Sequence, residues 1–102
     1  MGIKKFLQSY YVETLLFLHR VEKTRHRDIA IRIASRGTLT NVLNSLLQEG
    51  LIAREIEVNA KPIRSYYSIT DRGRTVAEKL NEIKYIMIEQ SSRFQSQEQV
   101  GD

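Results

Sequence analysis

Thr38, Asn41, Asn44, Ser45 and Gln48 fall on one side of a pattern whose other side is Leu39, Val42, Leu43, Leu46 and Leu47. The apolar set recurs at i, i+3, i+4, i+7 and i+8, so at about 100° per residue it forms one face of a helix. The opposite face is polar and almost free of charge. Its amides and hydroxyls can donate and accept hydrogen bonds at base edges, and asparagine or glutamine can pair with adenine through two bonds at once. None of them repels a phosphate. An ordinary solvated helix surface would use the same residues, so the neighbouring elements decide between the two readings.

The composition narrows the chemistry. Cysteine is absent from the 102 residues, which excludes disulfides, thiolate nucleophiles and thiolate metal sites and suggests an intracellular protein. His19 and His26 are too few and too poorly partnered for a zinc site or an acid–base pair, and no glycine loop is present to cradle a phosphate. The expectation is no enzyme, no metal and no cofactor. No apolar run reaches membrane-spanning length, the first residues lack a secretory apolar core, and Phe6 stands where myristoylation requires Ser or Thr. A single soluble, cytoplasmic domain is expected.

The formal charge of +4 is unevenly placed. Residues 20–36 hold Arg20, Lys23, Arg25, Arg27, Arg32 and Arg36 against Glu22 and Asp28. Residues 75–102 hold Lys79, Lys84 and Arg93 against Glu78, Glu82, Glu89, Glu98 and Asp102. One end is basic and the other acidic, which suggests a surface that faces phosphate and another kept away from it.

Phe6, Leu7, Tyr10, Tyr11, Thr14, Leu15 and Leu18 recur every three or four residues and predict a first helix over 3–22. Ile29, Ala30 and Ile33 predict a second over 26–34, with Asp28 in the first turn where the helix dipole favours it. Ser35-Arg36-Gly37 breaks the pattern as an interhelical turn, and the third helix follows over 38–49. Gly50 ends it. A strand then carries Ile52, Ile56 and Val58 on one side and Ala53, Glu55 and Glu57 on the other. The turn Asn59-Ala60-Lys61-Pro62 projects a positive charge, and residues 63–69 alternate as the return strand. Thr70 can cap the next helix, with Asp71 in its first turn.

The run Leu46-Leu47-Gln48-Glu49-Gly50-Leu51-Ile52-Ala53-Arg54, followed by Tyr67-Ser68-Ile69-Thr70-Asp71-Arg72-Gly73, resembles the paired signatures of MarR-, PadR- and HxlR-type winged-helix transcriptional regulators. In those families a leucine-rich recognition helix ends in Gly-Leu-Ile/Val-x-Arg, and the wing returns through Tyr-x-Leu-Thr-x-x-Gly. Ile69 stands at the leucine position here. The resemblance covers about residues 10–84. It implies an α+β, mainly α fold, a winged helix-turn-helix with a three-helix core and a β-hairpin wing, and Gly50, Leu51 and Tyr67 as structural residues.

The resemblance further implies a sequence-specific, double-stranded DNA-binding transcriptional regulator, with the recognition helix over 38–49 and the wing over 51–69. Thr38, Thr40, Asn41, Asn44 and Ser45 would enter the major groove, with Arg36 in the preceding turn near a base or phosphate. Lys61 and Arg64 would flank the backbone or minor groove, and Arg25 and Arg27 would meet phosphates near the start of the second helix. Arg54, the arginine after Gly-Leu-Ile, stands equally as a structural or a phosphate contact. Glu55 and Glu57 oppose phosphate unless they face away or pair with a cation such as Arg64.

The last helix, over 71–94, has a seam of its own. Val76, Leu80, Ile83, Met87, Gln90 and Phe94 follow a 4-3-4-3-4 spacing, the heptad pattern of a helix that pairs with another. A homodimer through Leu80, Ile83, Met87 and Phe94 is expected, helped by Ile3, Phe6 and Leu7. The domain is then 1–94, including this dimerisation helix, with 95–102 a polar, disordered tail. The small size, isoleucine content and helical extension also resemble compact winged-helix dimers of archaea and their viruses. Two other functions fit the same residues: a winged helix that binds protein, and a non-specific architectural DNA binder. No residue argues for a small-molecule effector.

Overall fold

Leu15, Leu18, Ile29, Val42 and Leu46 are the largest side chains completely removed from water, and they come from three helices that cross around one centre. A computed structural model describes residues 2–33 and 35–101, with side chains as far as residue 88. Along the chain these are α1 (Ile3–Phe6), α2 (Ser9–Val21), β1 (Lys23–Arg25), α3 (His26–Arg32), α4 (Arg36–Gln48), β2 (Ile52–Glu57), β3 (Arg64–Ile69) and α5 (Asp71–Gly101).

The expected first helix is two. Gln8 is extended, with φ −66 and ψ 145, and separates α1 from α2. The apolar spacing cannot register this break, because the hydrogen bonds from Gln8 N–H to the Lys5 carbonyl and from Tyr11 and Val12 N–H to the Gln8 carbonyl keep the turn nearly helical. The turn expected at residues 35–37 is also corrected. Ser35 is the N-cap of α4, its Oγ accepting from Thr38 N–H at 3.3 Å, so Arg36 and Gly37 lie in the helix's first turn.

A third strand, β1, joins the hairpin to make an antiparallel sheet of order β1-β3-β2. Three residues are too short for an alternating pattern to be read, and pairing with Ser68, Tyr67 and Tyr66 is what defines them. The register Ile52↔Ile69 through Glu57↔Arg64 sets the two faces of the hairpin. Ile52, Tyr67 and Ile69 close the core from the inner face, while Lys23, Glu55, Glu57, Arg64 and Tyr66 lie on the outer one.

The two sequence signatures meet in space. Gly50, at φ +70, terminates α4: its N–H bonds the Leu47 carbonyl and Leu51 N–H bonds the Leu46 carbonyl, the two bonds of a Schellman motif. Thr70 then ties this turn to α5. Its N–H donates to the Leu51 carbonyl at 3.1 Å, its hydroxyl donates to the Gly50 carbonyl at 2.6 Å, and its Oγ1 accepts from Gly73 N–H at 3.0 Å. Gly73 is buried where a Cβ would stand 1.9 Å from the Leu51 carbonyl oxygen. Only glycine lets α5 start this close to the end of α4.

The early part of α5 packs on the body through buried Ala77 and partly buried Val76 and Leu80. Beyond Leu80, all of residues 81–88 are exposed. The backbone stays helical through Gly101, past residue 94 where the expected helix ended.

Candidate nucleic-acid interface

Helix α4 buries Leu39, Val42, Leu43 and Leu46 and is held at both ends, by Ser35 and by the Gly50 turn. Its opposite side is therefore fixed in direction. Gly37, Thr40, Asn41, Asn44 and Gln48 are exposed and form the outer stripe at helical spacing. Thr38 and Ser45, which the sequence placed with them, are only half exposed and lie on one flank. Arg36 is exposed at the first turn.

The inner face of the sheet and α4 enclose a cleft of about 340 Å³ lined by His26, Thr40, Asn44, Arg54 and Ser65 above Leu43 and Tyr67. Arg54 is paired across the strands with Tyr67, whose ring lies 5.9 Å from that of His26 at an interplanar angle of 42°. This puts an exposed guanidinium beside the polar side chains of α4. The signal for it was the strand alternation, which groups Arg54 with Ile52 and Ile56, opposite the acids. Ser65 carries the same signal, because the return strand alternates it onto the face of Tyr67 and Ile69. His26 has none, because its position depends on how α3 packs.

The remaining cations are spread around this centre. Arg25 is half-buried at the end of β1, where it is the N-cap residue of α3, and Arg27 is exposed in the next turn. Lys61 is exposed at the hairpin tip, and Arg64 is exposed opposite Glu57 at the start of β3. The partner of Glu55 is Lys23, at 2.6 Å across the outer face. Glu55 holds the Lys23 ammonium above the ordinary lysine pKa, chiefly through that hydrogen bond. The lysine sits 5.1 Å from the centre of the Tyr66 ring. Glu57 makes no ion pair with Arg64 among the described residues.

The residues expected on the dimer seam divide. Leu80 packs against its own core, whereas Ile83 and Met87 are 57% and 62% exposed. The side chain of Phe94 lies outside the described residues. At the N-terminus Phe6 is in the core, while Ile3 and Leu7 are exposed. Among the described residues no group of His, Asp and Glu is placed to hold a metal ion, and no helix is long and apolar enough to cross a membrane.

A capped, half-buried helix following a second helix, flanked by a small antiparallel sheet and backed by a long terminal helix, defines a winged helix-turn-helix protein. The chain belongs to the HxlR-like helix-turn-helix family, whose model matches residues 10–95, and so to DNA-binding transcription regulators rather than to enzymes. No curated protein matches it.

Solved structures share the fold. A Lactococcus lactis ZitR variant in apo form has a TM-score of 0.71 at 18% identity, over 92% of this chain and 70% of that one. The Salmonella typhimurium protein ytfH has a TM-score of 0.72 at 23% identity, over 94% of this chain and 87% of that one. Streptococcus pneumoniae FabT, solved in complex with DNA, has a TM-score of 0.71 at 17% identity, over 90% of this chain and 64% of that one. At these identities the likeness is one of fold.

Proposed function

We propose that the chain is a sequence-specific, cytoplasmic regulator that binds double-stranded DNA as a homodimer, with α4 in the major groove. The observation that carries this reading is the exposed, uncharged stripe Thr40, Asn41, Asn44 and Gln48, with Arg36 in the first turn of the same helix and Arg54 across the cleft. Hydrogen-bonding groups at the centre discriminate bases, and cations at the edge hold phosphates. Thr38 and Ser45, on the flank, reach the groove wall rather than its floor. Arg25, Lys61 and Arg64 supply further phosphate contacts, and Lys23 neutralises the nearer wing acid, Glu55.

The dimer is proposed to form on the far part of α5. Ile83, Tyr85, Ile86, Met87 and Ile88 are all exposed there, more apolar surface than a solvated helix normally presents. Light scattering off DNA at micromolar concentration is expected to give twice the chain mass, and a monomer mass would sink this part.

Selection of bound duplexes from a random pool tests the whole reading. A palindromic consensus with half-sites about 34–36 Å apart is the expected outcome. Equal affinity for unrelated duplexes would instead identify an architectural binder. A second reading has its own observation, because Val58 and Ile63 are 69% and 64% exposed beside Lys61 on the wing. An apolar wing suits a protein partner, and failure to shift any duplex at physiological salt would favour it.

A further inference from the structure

We propose that the cleft between α4 and the sheet seats one backbone phosphate of the duplex, held by His26 together with Arg54, so that His26 ties DNA affinity to the uptake of a proton. The assignment rests on α4 being the recognition helix. The cleft measures about 340 Å³, and Thr40 and Asn44 belong both to its lining and to the outer stripe of α4. A DNA strand that borders the groove entered by α4 therefore passes over it.

The floor is apolar and fixed, with Leu43 2% exposed and Tyr67 5%. Tyr67 stands on the central strand, directly opposite Arg54 on β2 and Thr24 on β1. His26 comes two residues after Thr24, its ring 5.9 Å from that of Tyr67. The imidazole and the guanidinium thus flank one ring, on backbones about two strand spacings, or ~10 Å, apart. A phosphate over that ring is bridged from both sides by charge-assisted hydrogen bonds.

The lining selects an anion. Thr40, Asn44 and Ser65 can all donate hydrogen bonds, and among the described residues no carboxylate lines the cleft. Neither His26 nor Arg54 forms an ion pair among the described residues. The charged groups around His26 are Arg54 on β2, Arg25 and Arg27 beside it in the chain, and Asp28, which two residues on faces another side of α3. Helix α4 meets it with neutral groups, and β3 with Tyr67 and Ser65.

Of these residue types only histidine ordinarily changes charge between about pH 5 and 8, while a phosphodiester stays anionic throughout. The protonated ring adds a charge to its hydrogen bond, so the phosphate favours that form. Binding therefore takes up a proton, and the affinity it gains at low pH is lost as pH rises through the histidine range.

The duplex selected from a random pool is titrated by fluorescence anisotropy at constant salt from about pH 5.5 to about 8.5. Affinity is expected to fall about tenfold across this range, and less than about twofold for His26→Phe, which keeps an aromatic ring beside Tyr67. His19→Gln, outside the cleft, keeps the unsubstituted profile. Should His26→Phe lose its helical circular dichroism, His26→Gln takes its place. A scan of single neutral methylphosphonates is expected to find one position per half-site that weakens the unsubstituted chain about tenfold and weakens His26→Phe or Arg54→Gln far less. The same pH profile in the folded His26 variant, or a scan that treats the chains alike, would overturn the proposal and leave the reading of α4 standing. Competition by inorganic phosphate at submillimolar concentration and equal ionic strength would make the cleft a site for the free ion and overturn it too. A chain that shifts no duplex at any pH in the range would remove the reading of α4 and this proposal with it.

Discussion

Around Gly50 and Gly73 the carbonyls of Leu46, Leu47, Gly50 and Leu51 all accept hydrogen bonds from within the chain. Along residues 81–88 of α5 the opposite holds, with eight consecutive exposed positions, five of them large and apolar. The first region is complete in one chain. The second presents surface that the described residues do not cover, although it continues the seam that Val76 and Leu80 begin. Regular amphipathicity thus marks a face meant to be buried without saying by what. Whether the burying surface lies in the same chain is a matter of tertiary geometry.

The contrast is broken most severely at Gly73. Gly73→Ala forces a methyl into the Leu51 carbonyl, and a loss of about 3 kcal/mol or more is expected in urea unfolding, with association affected only through unfolding. Ile83→Asp combined with Met87→Asp tests the other side. The body should keep its unfolding midpoint at matched low concentration, while the dimer dissociation constant rises about a hundredfold in sedimentation or light scattering. A dimer that survives this change would place its interface elsewhere.

Helix α4 stands between these extremes, fixed by the chain on one face and open on the other. Asn44→Ala is expected to cost about 2 kcal/mol of discrimination between the preferred duplex and one changed at the contacted base. Thr38→Ala, on the flank, should change that ratio much less. Competition binding at one salt concentration measures both, and the reverse order would refute the assignment of the central stripe.

The smallest effect is expected at Lys23→Ala. The Lys23 pKa is raised by Glu55, so the pair contributes to folding below the lysine range and loses that contribution as pH rises through it. Both side chains are well exposed, at 49% and 66%, so the fall in melting temperature at neutral pH should be slight and further reduced by salt. The difference should fade as pH passes the ordinary lysine value of 10.5.

What was legible in the sequence is what depends on neighbours along the chain. The apolar stripe of α4, the glycine at its end, the hairpin and the Thr70 cap are all local patterns, and each is present. Strand β1 was illegible because its three residues are defined by partners more than forty positions away. The partner of Glu55 was missed for the same reason, since Lys23 lies across two strand pairings and Arg64 was merely the nearer cation in sequence. The site was legible as a set of residue types. Their division into a central stripe, a half-buried flank and an arginine in the cleft required the packing angle of α4 against the sheet.

The far stretch of α5 also has a metric consequence. If two copies pair along it, a slip of one heptad slides the chains past each other by seven residues, about 10.5 Å. Duplex DNA advances about 3.4 Å per base pair, so each slip corresponds to roughly three base pairs. Three base pairs also turn the duplex by roughly 100°, so a slipped pair would face one recognition helix away from the major groove, and the heptad register of α5 would fix a single half-site spacing rather than a series of them.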